Sequence, residues 1–299
     1  LKVNSITVGL GRRLEWPDNY FTLMNSLSFS QYTLRDYNSG LGFSDGVANS
    51  IYVSTQLSRN SINEIMYPSQ GSSISLSLQL TPPHSLWRDV KYDDPNLSAS
   101  EKYKWTEFHK WMFDAKYYLP LDGNKKLVLE AKAHFGFIGA YTAKSGVTPF
   151  ERFYLGGDGL AGGFNSFLLA TEIIGLRGYE NNKITPPVYN NFGTSQATGS
   201  TIMGGIVYDK LGLELRYPVT TGNAATIYGF VFTEAGNNWN NYEDFNPFNL
   251  YKSAGVGARI FMPAFGLIGL NWAYGFDRLP FATDRSGSQF HFTIGQQLR

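Results

Sequence analysis

The sequence predicts an all-β, antiparallel transmembrane β-barrel. Three observations carry that expectation: repeated two-residue alternation of apolar and polar side chains, segments longer than ordinary globular strands, and connections that alternate between short and long. Successive strand side chains point to opposite faces, so a period of two gives each segment one apolar and one polar side. A soluble sandwich turns the apolar side inward, whereas a barrel in lipid turns it outward. Alternation alone does not separate the two. Strand length, loop asymmetry and charges in mid-strand on the polar face favour a barrel with a hydrated lumen.

Eleven strands are expected, near residues 4–13, 20–34, 47–59, 72–80, 104–120, 126–139, 201–217, 223–236, 251–262, 264–275 and 288–297. The first two are joined by the short run EWPDN at 15–19. The fourth, SSISLSLQL, sets Ile74, Leu76, Leu78 and Leu80 against Ser73, Ser75, Ser77 and Gln79. The fifth and sixth are joined by LDGN at 121–124. The sixth opposes Leu127, Leu129, Ala131, Ala133, Phe135 and Phe137 to Glu130, Lys132 and His134. The seventh opposes Leu211, Leu213, Leu215 and Tyr217 to Lys210, Glu214 and Arg216. The eighth, TIYGFVFTEAG, is apolar on both faces, so the side on which Glu234 falls is not legible. The last opposes Phe290, Phe292 and Ile294 to His291 and Thr293. Trp105, Trp111, Tyr117, Tyr118, Tyr217, Trp272 and Tyr274 stand at strand ends, where amphipathic rings suit a membrane–water interface. The long connections are 35–46, 81–103 and 140–200; the last, at about sixty residues, is too long for an ordinary loop and is read as functional.

Composition narrows the function classes. The chain has 299 residues and a formal net charge of +1, which gives no bulk electrostatic case for nucleic acid. Charged residues make up only 16% and aromatics also 16%, with 32 Gly, a mix that suits a turn-rich β-protein. No cysteine is present, so disulfides, thiolate nucleophiles and cysteine metal sites are excluded. No apolar run is long enough for a transmembrane helix. The opening LKVNSITVGLG lacks the features of a signal peptide, so the protein is cytosolic or this chain begins after its signal.

Catalytic chemistry finds little support. His84, His109, His134 and His291 are scattered without metal-ligand spacing. GGDGLAGG at 156–163 has no Lys-Ser/Thr after it and no strand–helix context, so it is not read as a phosphate loop. No serine nucleophile is marked by a base and an orienting acid. Glu130, Lys132 and His134 read as lumen-lining charges. YDDPN and NWNNYEDFNP could offer oxygen ligands to Ca²⁺, but solvated loops are the simpler account. No metal and no cofactor are expected.

One motif stands out. TEIIGLRGYENN at 171–182 places Leu176, Arg177, Gly178 and Tyr179 in a polar, glycine-rich loop. PFERFYLGGDG precedes it, with Phe150, Phe153, Tyr154, Gly156 and Gly157, and GGIVYDKLGLELRYPV follows at 204–219. Together these resemble the BamA family of outer-membrane assembly proteins. That family carries a Val-Arg-Gly-Phe/Tyr motif on a loop folded back into the lumen, and Leu176 here stands where the family has Val. The resemblance covers nearly the whole chain, is most specific in the C-terminal half, and extends to loops like those of Bacteroidota members.

The resemblance implies that Arg177 docks against acidic residues of neighbouring strands, Glu214 and Glu234. A planar guanidinium presents several fixed donors to carboxylates, and burying it without them would be costly. Gly178 would permit the turn, and Leu176 and Tyr179 would pack on the inner wall. Glu214 could instead pair simply with Arg216 or Lys210. The family barrel has sixteen strands against about eleven here, so residues 1–299 are expected to be the C-terminal part of a longer barrel protein, lacking the first strands and periplasmic repeats. Residues 140–200 would be the lumen-inserted loop. Family chains usually end in an aromatic, whereas this one ends QQLR.

The implied function is insertion and folding of β-barrel proteins in the bacterial outer membrane, without covalent chemistry. Unfolded barrel clients, accessory lipoproteins or surface subunits, and outer-membrane lipid would be its partners. The last strand, with Phe290, Phe292, Ile294 and Gly295, would be one edge of a lateral gate. Two-partner-secretion or translocation-and-assembly transporters share the motif and form the nearest alternative. A passive outer-membrane channel or receptor is a more distant one, and a soluble β-sandwich binding module more distant still.

Overall fold

The computed structural model of the chain describes residues 2–36, 44–159, 172–186, 204–222, 225–262, 266–279 and 283–294. In chain order the strands are β1 (Lys2–Arg13), β2 (Phe21–Leu34), β3 (Gly46–Asn60), β4 (Gly71–Leu80), β5 (His109–Pro120), β6 (Val128–Gly139), β7 (Phe153–Leu155), β8 (Glu172–Ile174), β9 (Val207–Thr221), β10 (Thr226–Trp239), β11 (Tyr251–Met262), β12 (Gly266–Arg278) and β13 (Arg285–Ile294). Eleven of them form one sheet in the order β1-β2-β3-β4-β5-β6-β9-β10-β11-β12-β13, and every pairing in it is antiparallel. Among the described residues β1 and β13 do not pair with each other, so the sheet ends in two open edges.

The outward side is apolar. On β9, Leu211 and Leu213 are 49% and 47% exposed, while Lys210 and Glu214, which flank them, are 1% and 2% exposed. The same inversion runs through β13, where Phe290 and Phe292 are exposed and His291 and Thr293 are buried. An exposed apolar wall around a buried charged one is stable in lipid and not in water. The apolar core therefore lies inside the sheet at its long-loop end. There Phe108, Ile138, Val207, Tyr208 and Trp239 of the wall and its connections meet Phe153, Leu155, Ile174, Leu176 and Tyr179 of the 140–200 loop.

Several expectations are corrected. β5 starts at 109 rather than 104, because residues 104–106 are captured by β3: Asn49 N donates to Lys104 O and Thr106 N to Asn49 O, both at 2.8 Å. Trp105 thus lies off the strand, in an isolated bridge with Asn49. Tyr118 faces the lumen, buried, with the Arg216 guanidinium 5.4 Å from its ring centre, so it is not an interface ring. β9 starts at Val207 and runs through Pro218 to Thr221. Proline donates no ladder hydrogen bond, and the register slips beside it, between Ile227 and Tyr228. β10 runs on to Trp239. β7 and β8 pair in parallel inside the long loop, where no strand was expected.

A second segment also folds inward. The 61–70 turn between β3 and β4 sends Tyr67 across the lumen, where its hydroxyl donates to Lys126 O at 2.7 Å and its ring sits edge-on to Tyr228 at 5.2 Å.

Candidate functional site

The site is built where the 140–200 loop meets β9, β10, β12 and β13. β9 and β10 pair Phe232 with Glu214 and Glu234 with Gly212, so both carboxylates reach the lumen one step apart on neighbouring strands. The backbone N–H of Arg177 donates to Glu234 Oε2 at 3.0 Å. Its Nη2 donates to Glu214 Oε1 and Glu234 Oε1, each at 2.7 Å, and its Nη1 to Asn271 Oδ1 at 3.2 Å. The guanidinium carbon lies 3.5 Å from the centre of the Phe232 ring. Burial opposes charge on this arginine, but Glu234 and then Glu214 outweigh it and hold its proton more tightly than usual.

The two readings of Glu214 hold together. It accepts from Arg177 and also from Arg216, whose Nη2 reaches Glu214 Oε2 at 2.9 Å, while Lys132 Nζ lies 3.4 Å from Oε1. Lys210 goes instead to Glu234, at 3.5 Å. Arg216 also bonds Glu130. The lumen wall is thus a continuous alternation of charge, in which desolvated ions are tolerable because each carboxylate meets more than one donor.

Glu234 faces inward with Tyr228, Phe230 and Phe232, all buried. Its face was illegible because these rings occupy lumen positions. They do so as partners for cations: Phe230 lies under Arg259 at 4.6 Å, Tyr228 under Arg216 at 5.5 Å, and Phe232 under Arg177.

Gly178 has φ +91°, and a Cβ there would lie 2.9 Å from the Ser253 Cβ and 3.0 Å from Gly275 N. The loop therefore lies flat on β12, with glycine facing glycine. Gly178 N donates to His291 Nε2 at 3.1 Å, and Ser286 Oγ donates to Gly178 O at 2.8 Å. Tyr179 is buried, and its hydroxyl donates to Lys252 O at 2.6 Å. Leu176 is fully buried in the apolar plug.

The flanking motif packs onto the same turn. Gly156 N donates to Ile174 O at 3.0 Å, and Gly157 bridges Leu176. A Cβ on Gly157, at φ +75°, would overlap Asn181 Oδ1 at 1.5 Å, so only glycine lets the two segments meet. Phe153 is buried, and its carbonyl accepts from Asn238 Nδ2 at 2.8 Å. Tyr154 is buried beside it, and Phe150 stacks on Tyr32 of β2 at 5.2 Å. Phe290 and Phe292 stand apart on the outward face of β13. Of Ile294 only its place at the end of β13 is described, and Gly295 lies outside the described residues, as do 160–171 and 187–203 of the long loop.

Sequence reasoning missed Asn271, Arg259, His291, Ser286 and Gly275. None stands in a motif. Only the register of β11, β12 and β13 carries them to the loop.

An apolar-outward antiparallel sheet with a charged inner wall and an inserted loop arginine defines a β-barrel of the membrane type. The Omp85 superfamily domain matches residues 2–298, and the chain belongs to that superfamily. Its structure is similar to BamA from Haemophilus ducreyi lacking POTRA domains 1-3, with 20% identity and a TM-score of 0.67 over 98% of this chain and 53% of that one. It is also similar to CdiB from Escherichia coli, with 11% identity and a TM-score of 0.53 over 97% of this chain and 44% of that one. The chain thus spans about half the length of each.

Proposed function

We propose that residues 1–299 form the C-terminal barrel part of an outer-membrane protein of the BamA type, which inserts and folds other β-barrel proteins. The observation that supports this reading most is the Arg177 seat. A loop guanidinium held by Glu214 and Glu234 clamps two adjacent strands to one plug. In this reading the work of the site is mechanical rather than covalent, and it needs no nucleotide or cofactor.

In this reading β13 is one gate edge. Its unpaired N–H and C=O groups would template an incoming strand, as in β-augmentation. Phe290 and Phe292 would keep that strand anchored in lipid while the plug braces the wall. The family's other strands would complete a sixteen-stranded barrel, with periplasmic repeats before it. Unfolded barrel proteins would be clients, and lipoproteins or surface subunits would be accessories, in a Bacteroidota-like assembly machine. The likeness to CdiB favours a second reading, a two-partner-secretion transporter.

The test places the full-length protein in liposomes and adds a urea-unfolded outer-membrane barrel, whose folding is followed by heat-dependent gel shift. Folding well above that in empty liposomes supports the insertase. No acceleration by a folded protein sinks it and favours the secretion transporter.

A further inference from the structure

We infer that the short-turn end of the lumen holds an anion-binding site that takes a phosphate or carboxylate group. The inner wall and loop bring together six cations, Lys116, Lys132, Arg177, Lys210, Arg216 and Arg259, with four carboxylates, Asp114, Glu130, Glu214 and Glu234. Arg177, Lys132, Lys210 and Arg216 each have a carboxylate partner. Among the described residues Lys116 and Arg259 have none within 4.0 Å. Arg259 donates to Asn271 Oδ1 at 2.9 Å and rests on Phe230, neither of which neutralises it.

These two cations line the same narrow space, together with Lys132, Arg216 and the rings of Tyr118 and Tyr228. Glu130 is the one carboxylate on that lining. The space is about 20 Å³, room for one water-sized group, so it would take a single oxygen of an oxyanion whose remainder lies in the adjoining cavity. The four cations share two carboxylates, Glu130 and Glu214, both taken up by Lys132 and Arg216, so the charge of Lys116 and Arg259 is left over; that excess favours a bound counter-anion, and guanidinium and ammonium groups suit oxyanions.

The recess adjoins a cavity of about 800 Å³ that shares Lys116, Tyr118 and Pro68 with it. Gln56, Ser73 and Ser75 line the cavity with uncharged amide and hydroxyl groups, and Glu64 and Asp114 add carboxylates to its wall. His134 adds an Nε2 that has no partner among the described residues, while its Nδ1 lies 2.6 Å from Asp114 Oδ1. That arrangement receives the polar body to which an anionic headgroup is attached. Pro68 belongs to the inward 61–70 turn, which roofs both spaces and which Tyr67 fastens. The headgroup chemistry is shared by free phosphate and by a phospholipid.

The experiment follows thermal unfolding of the full-length protein in detergent by tryptophan fluorescence. Chloride is exchanged stepwise for inorganic phosphate at constant ionic strength, and a second arm adds a short-chain phosphatidic acid below its micelle concentration. A saturable rise in Tm is expected in the wild type. Its midpoint should move on the order of tenfold higher in Lys116→Gln and Arg259→Gln, each of which removes one charged donor. Lys144→Gln, on the surface, should leave it in place. Tighter binding of the lipid than of phosphate names a headgroup as the source, and equal binding names the free ion. An absent saturable shift in the wild type, or an unmoved midpoint in Lys116→Gln, overturns the site. Among the described residues the Lys116 side chain makes no hydrogen bond or ion pair, so that variant decides the matter even if Arg259→Gln fails to fold.

Discussion

Replacing Arg177 with methionine keeps most of the side-chain volume and removes the charge. The structure sets the size of the effect. The substitution deletes two 2.7 Å contacts to carboxylates and one 3.2 Å contact to Asn271, and takes the cation from above Phe232. Removing one member of a buried ion pair costs about 3–5 kcal/mol, mostly because its partner stays buried and unpaired. Here Glu214 keeps Arg216 and Lys132, and Glu234 keeps Lys210 and the residue 177 backbone N–H. The cost should therefore sit near the lower end, about 3 kcal/mol, or on the order of a hundredfold in the docking equilibrium. The loop stays seated through Leu176, Tyr179 and the apolar plug, but opens more often. Hydrogen exchange in the full-length protein should quicken on the order of a hundredfold for amides 172–180 and little for amides of β5 and β6. Arg177→Lys should recover less than half of the loss in free energy, since one ammonium cannot reach Glu214, Glu234 and Asn271 together. Exchange in 172–180 within about threefold of wild type, in a folded Arg177→Met protein, would refute the clamp.

Gly275→Ala should dislodge the same turn from the opposite side, because its Cβ would lie 2.3 Å from Gly178 O; limited proteolysis should cut the 172–186 segment faster, and an unchanged cleavage rate counts against close glycine packing. Tyr67→Phe removes the bond to Lys126 O and should cost about 1 kcal/mol in folding free energy measured by urea titration in vesicles, whereas Tyr67→Ala, which empties a buried ring site, should cost about 3–5 kcal/mol. Phe290→Arg, on the outward face, should lower folding free energy in vesicles by about 2–4 kcal/mol, while Ser77→Arg on the inner wall should be near neutral. The reverse order would mean that the faces are misassigned.

The sheet was legible because lipid imposes a simple rule. Where the inner face carries charge, as at Lys210, Glu214 and Arg216, the period of two names both the strand and its outward side. The rule fails on β10, whose inner face is Tyr228, Phe230 and Phe232, since rings that serve cations look in sequence like rings that serve lipid. It also fails at 104–106, where extended backbone answers to Asn49 rather than to the ladder. The Arg177 partners on β9 and β10 could be named from resemblance, but Asn271, His291 and Ser286 could not. They depend on register, and in a sheet of eleven strands register accumulates across every pairing.

The distribution of contacts around Arg177 bears on how a moving edge could coexist with a fixed plug. The charged contacts lie on β9 and β10, well inside the sheet. Those to the terminal strand β13 are two neutral hydrogen bonds, Gly178 N to His291 Nε2 and Ser286 Oγ to Gly178 O. A neutral hydrogen bond contributes about 1 kcal/mol net, and water can replace it, whereas a stranded buried carboxylate is much harder to compensate. If β13 swings outward under the proposed function, the plug loses about 2 kcal/mol at Gly178 and keeps its clamp. The loop would then stay with β9–β10 while the edge opens. On this account Ser286→Ala combined with His291→Phe should loosen the edge without freeing Arg177. A cysteine crosslink from the 172–180 segment to β10 should persist in that double variant, while crosslinks to β13 fall. Equal loss of both crosslinks would mean that loop and edge move as one body.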